Sequence, residues 1–165
     1  MGIYEFVNAD TIAAGLSGFA PESVAFEAGR IVLTRIRTLI AQRTSFAFET
    51  TLSSRSLAKL LSSAKTSGHE INLANLALPD VAIATTRVAL RVQQGGHSIP
   101  EDVIGRRFYR SLRNLFALYI PLFDKWKLFD NFSATPALIA RGTRRKRKIF
   151  QEQNWNKLND LAQKA

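Results

Sequence analysis

The chain has 165 residues, 46% of them hydrophobic, and is therefore long enough to form one domain with a core. It contains no apolar run near the ~20 residues that span a membrane, and no cysteine for a disulfide or a thiolate zinc site. Lysine and arginine outnumber aspartate and glutamate by 23 to 13, but six of the ten net positive charges lie between residues 141 and 148. We therefore expect a cytoplasmic protein with a mildly basic domain and one basic run.

Strands and helices alternate along the first 140 residues. Strands are predicted at residues 3–7, 46–48, 70–78, 126–132 and 137–140, and helices at residues 21–43, 54–67, 79–94 and from 100 onward. The short connections favour an α/β fold, with a parallel sheet flanked by helices. Residues 141–165 are predicted to be a basic linker followed by a weak helix or a disordered tail.

Two carboxylates follow predicted strands. Asp10 ends the first strand region, and Glu49 ends the second, followed by Thr50 and Thr51. Ligands bind outside the carboxyl ends of parallel strands, where these side chains can serve as a general base and as substrate or metal contacts. The structural alternative is that Asn8 and Asp10 form a turn that caps the next segment, and that a serine at 53 or 54 caps the following helix.

Arginines lie on both sides of a glycine-containing loop. Arg87 and Arg91 are one helical turn apart, Arg106 and Arg107 are in the next helix, and His97 lies in the loop between. Guanidinium groups bind phosphate oxygens in a bidentate manner, so the pattern is typical of a lid over phosphates. The alternative is a solvated helix surface, which we prefer for two further arginines of the second helix, Arg110 and Arg113.

Other kinds of site have less support. With only two histidines in the chain, a zinc site is not expected, and neither Gly-x-Ser-x-Gly nor His-Glu-x-x-His occurs. The basic run at 141–148 could bind nucleic acid or anionic lipid, although such runs are more often solvated and no aromatic residue interrupts it.

Six short stretches together resemble the zeta-toxin family of P-loop kinases, most closely its small bacterial members described as predicted ATPases. They are collinear, and the resemblance covers roughly residues 3–140. The stretches are FVNAD (6–10), PES (21–23), FAFETTLS (46–53), RVALRV (87–92), GGHSIP (95–100) and RRFY (106–109).

The resemblance implies an ATP- and Mg²⁺-dependent phosphotransferase that acts on a hydroxyl of a small molecule such as a nucleotide sugar. It implies that Asp10 accepts the proton of the attacking hydroxyl, and that Glu49 and Thr51 contact the substrate. It further implies that Arg91 reaches the transferring phosphate, while His97 lies near the place of a second lid arginine. Arg106 or Arg107 would then supply the missing charge. The family also suggests an antitoxin partner or self-association.

One motif of the family is missing from these residues. G-x-x-x-x-G-K-[ST], which precedes the Asn-x-Asp stretch in the family, does not occur here. We therefore expect a kinase-like sheet without its first, central strand, and a chain that is inactive alone. A misplaced start codon, a truncated product or a strand supplied in trans would each explain this, and we favour the first two. The alternative function is a non-catalytic, degenerate kinase fold that binds nucleic acid or a protein partner through its basic tail.

Overall fold

The computed structural model describes residues 2–3, 5–96 and 98–164. The chain forms two compact units: unit 1 comprises residues 1–50 and 66–69, and unit 2 comprises residues 51–65 and 70–165. Within the described residues, no helix is both long and apolar enough to cross a membrane. Each unit has its own sheet.

Unit 1 consists of two short strands and the helices next to them. Its elements are β1 (Glu5–Val7), α1 (Ala9–Leu16), a 3₁₀ turn (Pro21–Val24), α2 (Ala25–Ala41) and β2 (Phe46–Phe48). β1 and β2 pair in parallel. The core is formed by Val7 together with one side of α2, on which Ala28, Ile36 and Leu39 recur at helical spacing and are buried.

Unit 2 contains a four-stranded sheet and most of the helices. Its elements are α3 (Arg55–Thr66), β3 (Asn72–Ala77), α4 (Val81–Gln93), α5 (Glu101–Asn114), a π-helical segment (Leu115–Tyr119), α6 (Ile120–Leu122), β4 (Lys125–Asp130), β5 (Ala137–Thr143), β6 (Arg147–Ile149) and α7 (Glu152–Gln163). The strand order is β3-β4-β5-β6, in which β3 and β4 are parallel while β5 and β6 continue the sheet antiparallel. The predicted α/β class, with parallel pairing of strands that alternate with helices, is confirmed.

The C-terminal residues differ from the predicted linker and weak or disordered tail. The expected boundary at residue 140 falls inside β5, and the basic run forms the end of β5, a turn and β6. α7 then packs on the sheet, where Trp155 stacks on Trp126 with ring centroids 5.9 Å apart and Leu158 is 2% exposed. This aromatic contact supplies the packing that the polar composition of the segment did not suggest.

Candidate active site

Unit 1 places the two predicted strand ends side by side. Val7 is opposite Phe48 in the parallel register, and the Glu49 N–H donates to the Val7 carbonyl at 3.3 Å, so Asn8 and Glu49 leave the sheet at the same edge. The Asn8 Nδ2 donates a hydrogen bond to the Glu49 Oε2 at 2.8 Å. The edge therefore presents a carboxylate whose position is held by an amide 41 residues earlier in the chain.

Asn8 has a second role that fixes its own orientation. Its Oδ1 accepts a hydrogen bond from the Thr11 N–H at 2.9 Å and caps α1. Since the oxygen is engaged with the helix, the amide nitrogen must be the atom that faces Glu49. The predicted capping role of Asn8 is thus present, and the same side chain also positions Glu49, which we had not expected.

Asp10 is in the first turn of α1 and is exposed to solvent. Its carboxylate has no hydrogen bond or ion pair with any other residue that the structure describes. It is therefore available as an acceptor for a hydroxyl from outside the chain.

Unit 2 contains the other part of the hydroxyl-rich stretch, residues 51–54, which we call the hydroxyl loop. The exposed Thr51 and its neighbour Ser53 share a hydrogen bond of 2.8 Å between their hydroxyls. Leu52 is 2% exposed and has a φ of 58°, in the left-handed region that leucine rarely adopts. Ser54 accepts a hydrogen bond from the Leu57 N–H at 3.4 Å and caps α3, as one of the structural alternatives predicted.

Two buried side chains hold the hydroxyl loop in this conformation. The Asn114 Nδ2 donates to the Leu52 carbonyl at 2.8 Å, and the Tyr119 hydroxyl donates to the Ser54 carbonyl at 2.6 Å. Asn114 is 1% exposed and Tyr119 is 0% exposed. The backbone strain at Leu52 is thus offset by the burial of its side chain and by two hydrogen bonds that end on the loop.

Burial raises the pKa of the Tyr119 hydroxyl to about 12. An unfolded tyrosine titrates near pH ~10, so between these values the folded state keeps a proton that the unfolded state loses. This contribution to stability is therefore complete below pH ~10 and is lost as the pH rises towards 12.

A Tyr119→Phe variant should consequently lose less stability than the wild type on going from pH ~9 to pH ~11. At pH ~9 the variant should be less stable by about 1 kcal/mol, because the Ser54 carbonyl loses its donor. Urea unfolding of both proteins at the two pH values measures the difference. Parallel losses of stability in the two proteins would contradict the raised pKa.

The predicted phosphate-binding arginines differ in their surroundings. Arg87 donates through Nη2 to the carbonyls of Asn131 and Phe132, the latter at 3.2 Å, and so holds the chain that follows β4. Arg91, Arg106 and Arg107 are exposed and form no ion pair with another described residue. His97 lies outside the described residues.

The loop after α4 closes tightly on Arg91. The Gly96 N–H donates to the Arg91 carbonyl at 2.9 Å, and a Cβ added to Gly96 would lie 2.8 Å from both the Cγ and the carbonyl oxygen of Arg91. Gly95 has a φ of 91°, which only glycine adopts without strain. The two glycines thus permit a turn that packs against the stem of a candidate phosphate-binding arginine.

A groove along the exposed side of α2 is a weaker candidate site. Its lining includes Arg30, Thr34, Arg35 and Thr38. The Thr34 and Thr38 hydroxyls donate to carbonyls of their own helix, at 3.0 and 3.1 Å, and Arg35 pairs with Glu5 at 2.7 Å. These groups are engaged within the unit, so the strand edge is the better candidate.

ATP and Mg²⁺ do not fit the residues at hand. No cluster of three or more His, Asp or Glu side chains in the described part of the chain could hold a metal ion. The sequence also lacks the glycine-rich loop and lysine that bind the phosphates of ATP in P-loop enzymes.

Comparison with known proteins identifies the family. The sequence profile described as Zeta toxin matches residues 17–131. An uncharacterized protein of Haemophilus influenzae (strain ATCC 51907 / DSM 11121 / KW20 / Rd) is 30% identical over 102 residues, which are 62% of this chain and 73% of the relative. The fold is similar to that of a chain from the structural characterization of the PezAT chromosomal toxin-antitoxin system of Streptococcus pneumoniae. The TM-score is 0.59 at 14% sequence identity, and the match covers 94% of this chain and 75% of that chain. The chain belongs to the zeta toxin family.

Proposed function

We propose that this protein is a kinase-like phosphotransferase of the zeta toxin family, and that the carboxyl edge of β1 and β2 binds the acceptor, a small molecule with hydroxyl groups such as a nucleotide sugar. One observation supports this most directly. The Asn8 amide holds the Glu49 carboxylate at 2.8 Å at this edge, and the exposed Asp10 lies two residues after Asn8, in the first turn of α1. Carboxylates are strong acceptors for sugar hydroxyls, and a hydrogen-bonded pair of strands supplies a rigid base for them.

Each residue of the edge has a distinct proposed role. Asp10 accepts the proton of the hydroxyl that is phosphorylated. Glu49 and Thr50, which are also in unit 1, bind the remaining hydroxyl groups of the acceptor. Thr51 is in unit 2, and its proposed substrate contact rests on the family resemblance alone. Asn8 acts as a positioning residue, because its amide orients the Glu49 carboxylate.

The arginines keep the roles that the family resemblance implies. Arg91, Arg106 and Arg107 are exposed, and we propose that they bind phosphate oxygens. Arg87 is engaged with two backbone carbonyls, so its proposed role is to hold the segment after β4 rather than to bind phosphate directly. An antitoxin partner is proposed by analogy with the PezAT system.

ATP and Mg²⁺ are the usual cofactors of this family, but the motif G-x-x-x-x-G-K-[ST], which binds the phosphates of ATP and the magnesium ion, does not occur in these 165 residues. We therefore expect this polypeptide alone to transfer no phosphate at a measurable rate, compared with ~1–100 s⁻¹ for kinases. A turnover in that range for the purified chain would contradict this account of the missing phosphate-binding loop.

The proposal is tested by acceptor binding, which does not need ATP. We expect saturable binding of at least one member of a panel of nucleotide sugars, measured by saturation-transfer NMR and calorimetry. Glu49→Gln keeps the acceptor atom for Asn8 but removes the charge, and should weaken binding by about tenfold or more, since a hydrogen bond to a charged group contributes about 1.5–3 kcal/mol. Asp10→Asn should weaken binding to a similar degree.

Glu27→Gln is the matched control, because Glu27 is an exposed glutamate on α2 of the same unit. It should bind like the wild type. If no nucleotide sugar binds, or if Glu27→Gln weakens binding as much as Glu49→Gln does, the edge is not the acceptor site.

A further inference from the structure

Three basic side chains form a row across the sheet of unit 2. Lys127 of β4 is opposite Arg141 of β5, which is opposite Lys148 of β6, and all three are exposed. Residues that are opposite each other on neighbouring strands project from the same face, about 4.8 Å apart along the direction of strand pairing. We call these three residues the basic row.

The basic row is a like-charge arrangement without a compensating acid. Like charges directly opposite each other on neighbouring strands are destabilising. In the described part of the protein, no carboxylate lies within 4.0 Å of these three cations. Lys125, two residues before Lys127 on the same strand, is instead paired with Glu70 at 2.8 Å. The sheet thus neutralises one lysine of this face and leaves the neighbouring row unneutralised, as an anion-binding surface requires.

An aromatic ring lies beside the basic row. The ring centroid of Phe150 is 5.7 Å from the Arg141 Cζ and 5.1 Å from the Lys148 Nζ, and the side chain is 45% exposed. Cations beside an exposed aromatic side chain are the combination with which proteins bind single-stranded nucleic acid, where phosphates pair with the cations and bases stack on the ring. The sequence pattern missed this ring, since Phe150 lies just after the basic run.

The other basic residues of the run are held in a defined hairpin. The Thr143 N–H donates to the Lys146 carbonyl at 2.8 Å and closes the turn between β5 and β6. Arg147 points away from the basic row, with its Cζ 5.3 Å from the Trp155 ring. Arg144, Arg145 and Lys146 are exposed at the turn and extend the positive surface beyond the row.

We propose that the basic row and Phe150 form a binding site for single-stranded nucleic acid. The phosphate backbone contacts Lys127, Arg141 and Lys148, and a base stacks on Phe150. A lipid surface is a poorer match, because membrane-binding segments insert several large apolar side chains, whereas the basic row has Phe150 beside it and the hairpin turn presents Thr143 and cations. The site lies on unit 2 and does not depend on the acceptor edge of unit 1.

The test measures the affinity of the 165-residue chain for a fluorescein-labelled oligo(dT) by anisotropy. Three phosphate contacts predict that the wild-type affinity falls about 20-fold between about 50 and about 200 mM salt. In the row variant, Lys127→Gln/Arg141→Gln/Lys148→Gln, the affinity at low salt should fall at least tenfold and most of the salt dependence should disappear. Because the variant removes like-charge pairs, its thermal unfolding temperature should be equal to or above that of the wild type.

A control variant removes the same charge elsewhere. Arg37, Lys59 and Arg110 are exposed on α2, α3 and α5, and Arg37→Gln/Lys59→Gln/Arg110→Gln should keep at least half of the wild-type affinity. If this variant loses as much affinity as the row variant, binding depends on net charge alone and the proposed site is wrong.

Phe150→Leu separates nucleic acid from other polyanions. Loss of the ring should weaken oligo(dT) binding by about fivefold or more, because base stacking on an aromatic side chain is removed. The affinity for heparin, which has no bases, should not change. Equal affinity of wild type and Phe150→Leu for oligo(dT), or binding to anionic vesicles without binding to oligo(dT), would overturn the proposal.

Discussion

A Gly142→Val variant is expected to lose about 3 kcal/mol of stability or more, and Gly142→Ala about 2 kcal/mol. A Cβ at this position would lie 2.6 Å from the Trp126 Cζ2 and 2.7 Å from the Lys146 carbonyl oxygen. Neither atom can give way easily. Trp126 is 2% exposed and stacks on Trp155, and the Lys146 carbonyl closes the hairpin turn by accepting from Thr143.

The measurement is urea unfolding of both variants against the wild type. Gly29→Ala is the control, since Gly29 lies in the interior of α2 and a Cβ there would meet no atom within 4 Å. This change should stabilise the protein by about 0.5–1 kcal/mol, because alanine favours a helix over glycine. A Gly142→Ala variant within about 0.5 kcal/mol of the wild type would contradict the close packing of the hairpin against Trp126.

An Asn114→Ala variant should lose about 2–4 kcal/mol. Asn114 is the buried polar side chain that donates to the Leu52 carbonyl, and its removal leaves that carbonyl without its donor and opens a cavity. The strained φ of 58° at Leu52 would also lose one of its supports. The free energy of unfolding gives the total, and faster amide hydrogen exchange at residues 51–54 would locate the effect in the hydroxyl loop.

Asn72→Ala is the matched control for this variant. Its side chain is exposed and makes a 3.3 Å hydrogen bond to Glu70. We expect a change within about 0.5 kcal/mol of the wild type. If Asn114→Ala also stays within that range, or if exchange in the hydroxyl loop is unchanged, Asn114 does not hold the loop.

The elements with clear local signals were predicted well. β2, the cap of α4 at Asp80 and the start of α5 after Pro100 all follow from short-range patterns of apolar, capping and proline residues. No helix was predicted before residue 21, yet the Asn8 side chain caps α1 although Gly15 lies within it and Gly18 follows it. The glycines were a weaker signal than the cap.

The basic run was the main difference from prediction. Clustered charge is typical of solvated segments, so the run was not recognised as a strand. In β6, Arg147 and Ile149 project from one side and Lys148 projects from the other. α7 packs on this sheet through the pair Trp126 and Trp155, which are separated by almost thirty residues. The composition of a local segment contains no information on such a contact.

In the candidate site, too, some residues could be predicted from the sequence and others could not. Asp10 and Glu49 could be selected from the sequence because each follows a strand, and β1 and β2 do bring the residues that follow them to one edge. The residues that position Glu49 and the hydroxyl loop could not be selected in this way. Asn8 reaches Glu49 across 41 positions and Asn114 reaches Leu52 across 62, so neither pairing leaves a local pattern.

Because of the π-helical segment Leu115–Tyr119, the number of residues in this region is more tightly constrained than their identity. Asn114 and Tyr119 both reach the hydroxyl loop, yet residues five apart on an α-helix point about 140° away from each other. The i to i+5 hydrogen bonding here, seen where the Ile120 N–H donates to the Leu115 carbonyl, returns the two side chains to one side. Among related sequences, this helix should therefore tolerate exchanges of apolar residues while gaining or losing none, because a single missing residue would turn Tyr119 away from the loop.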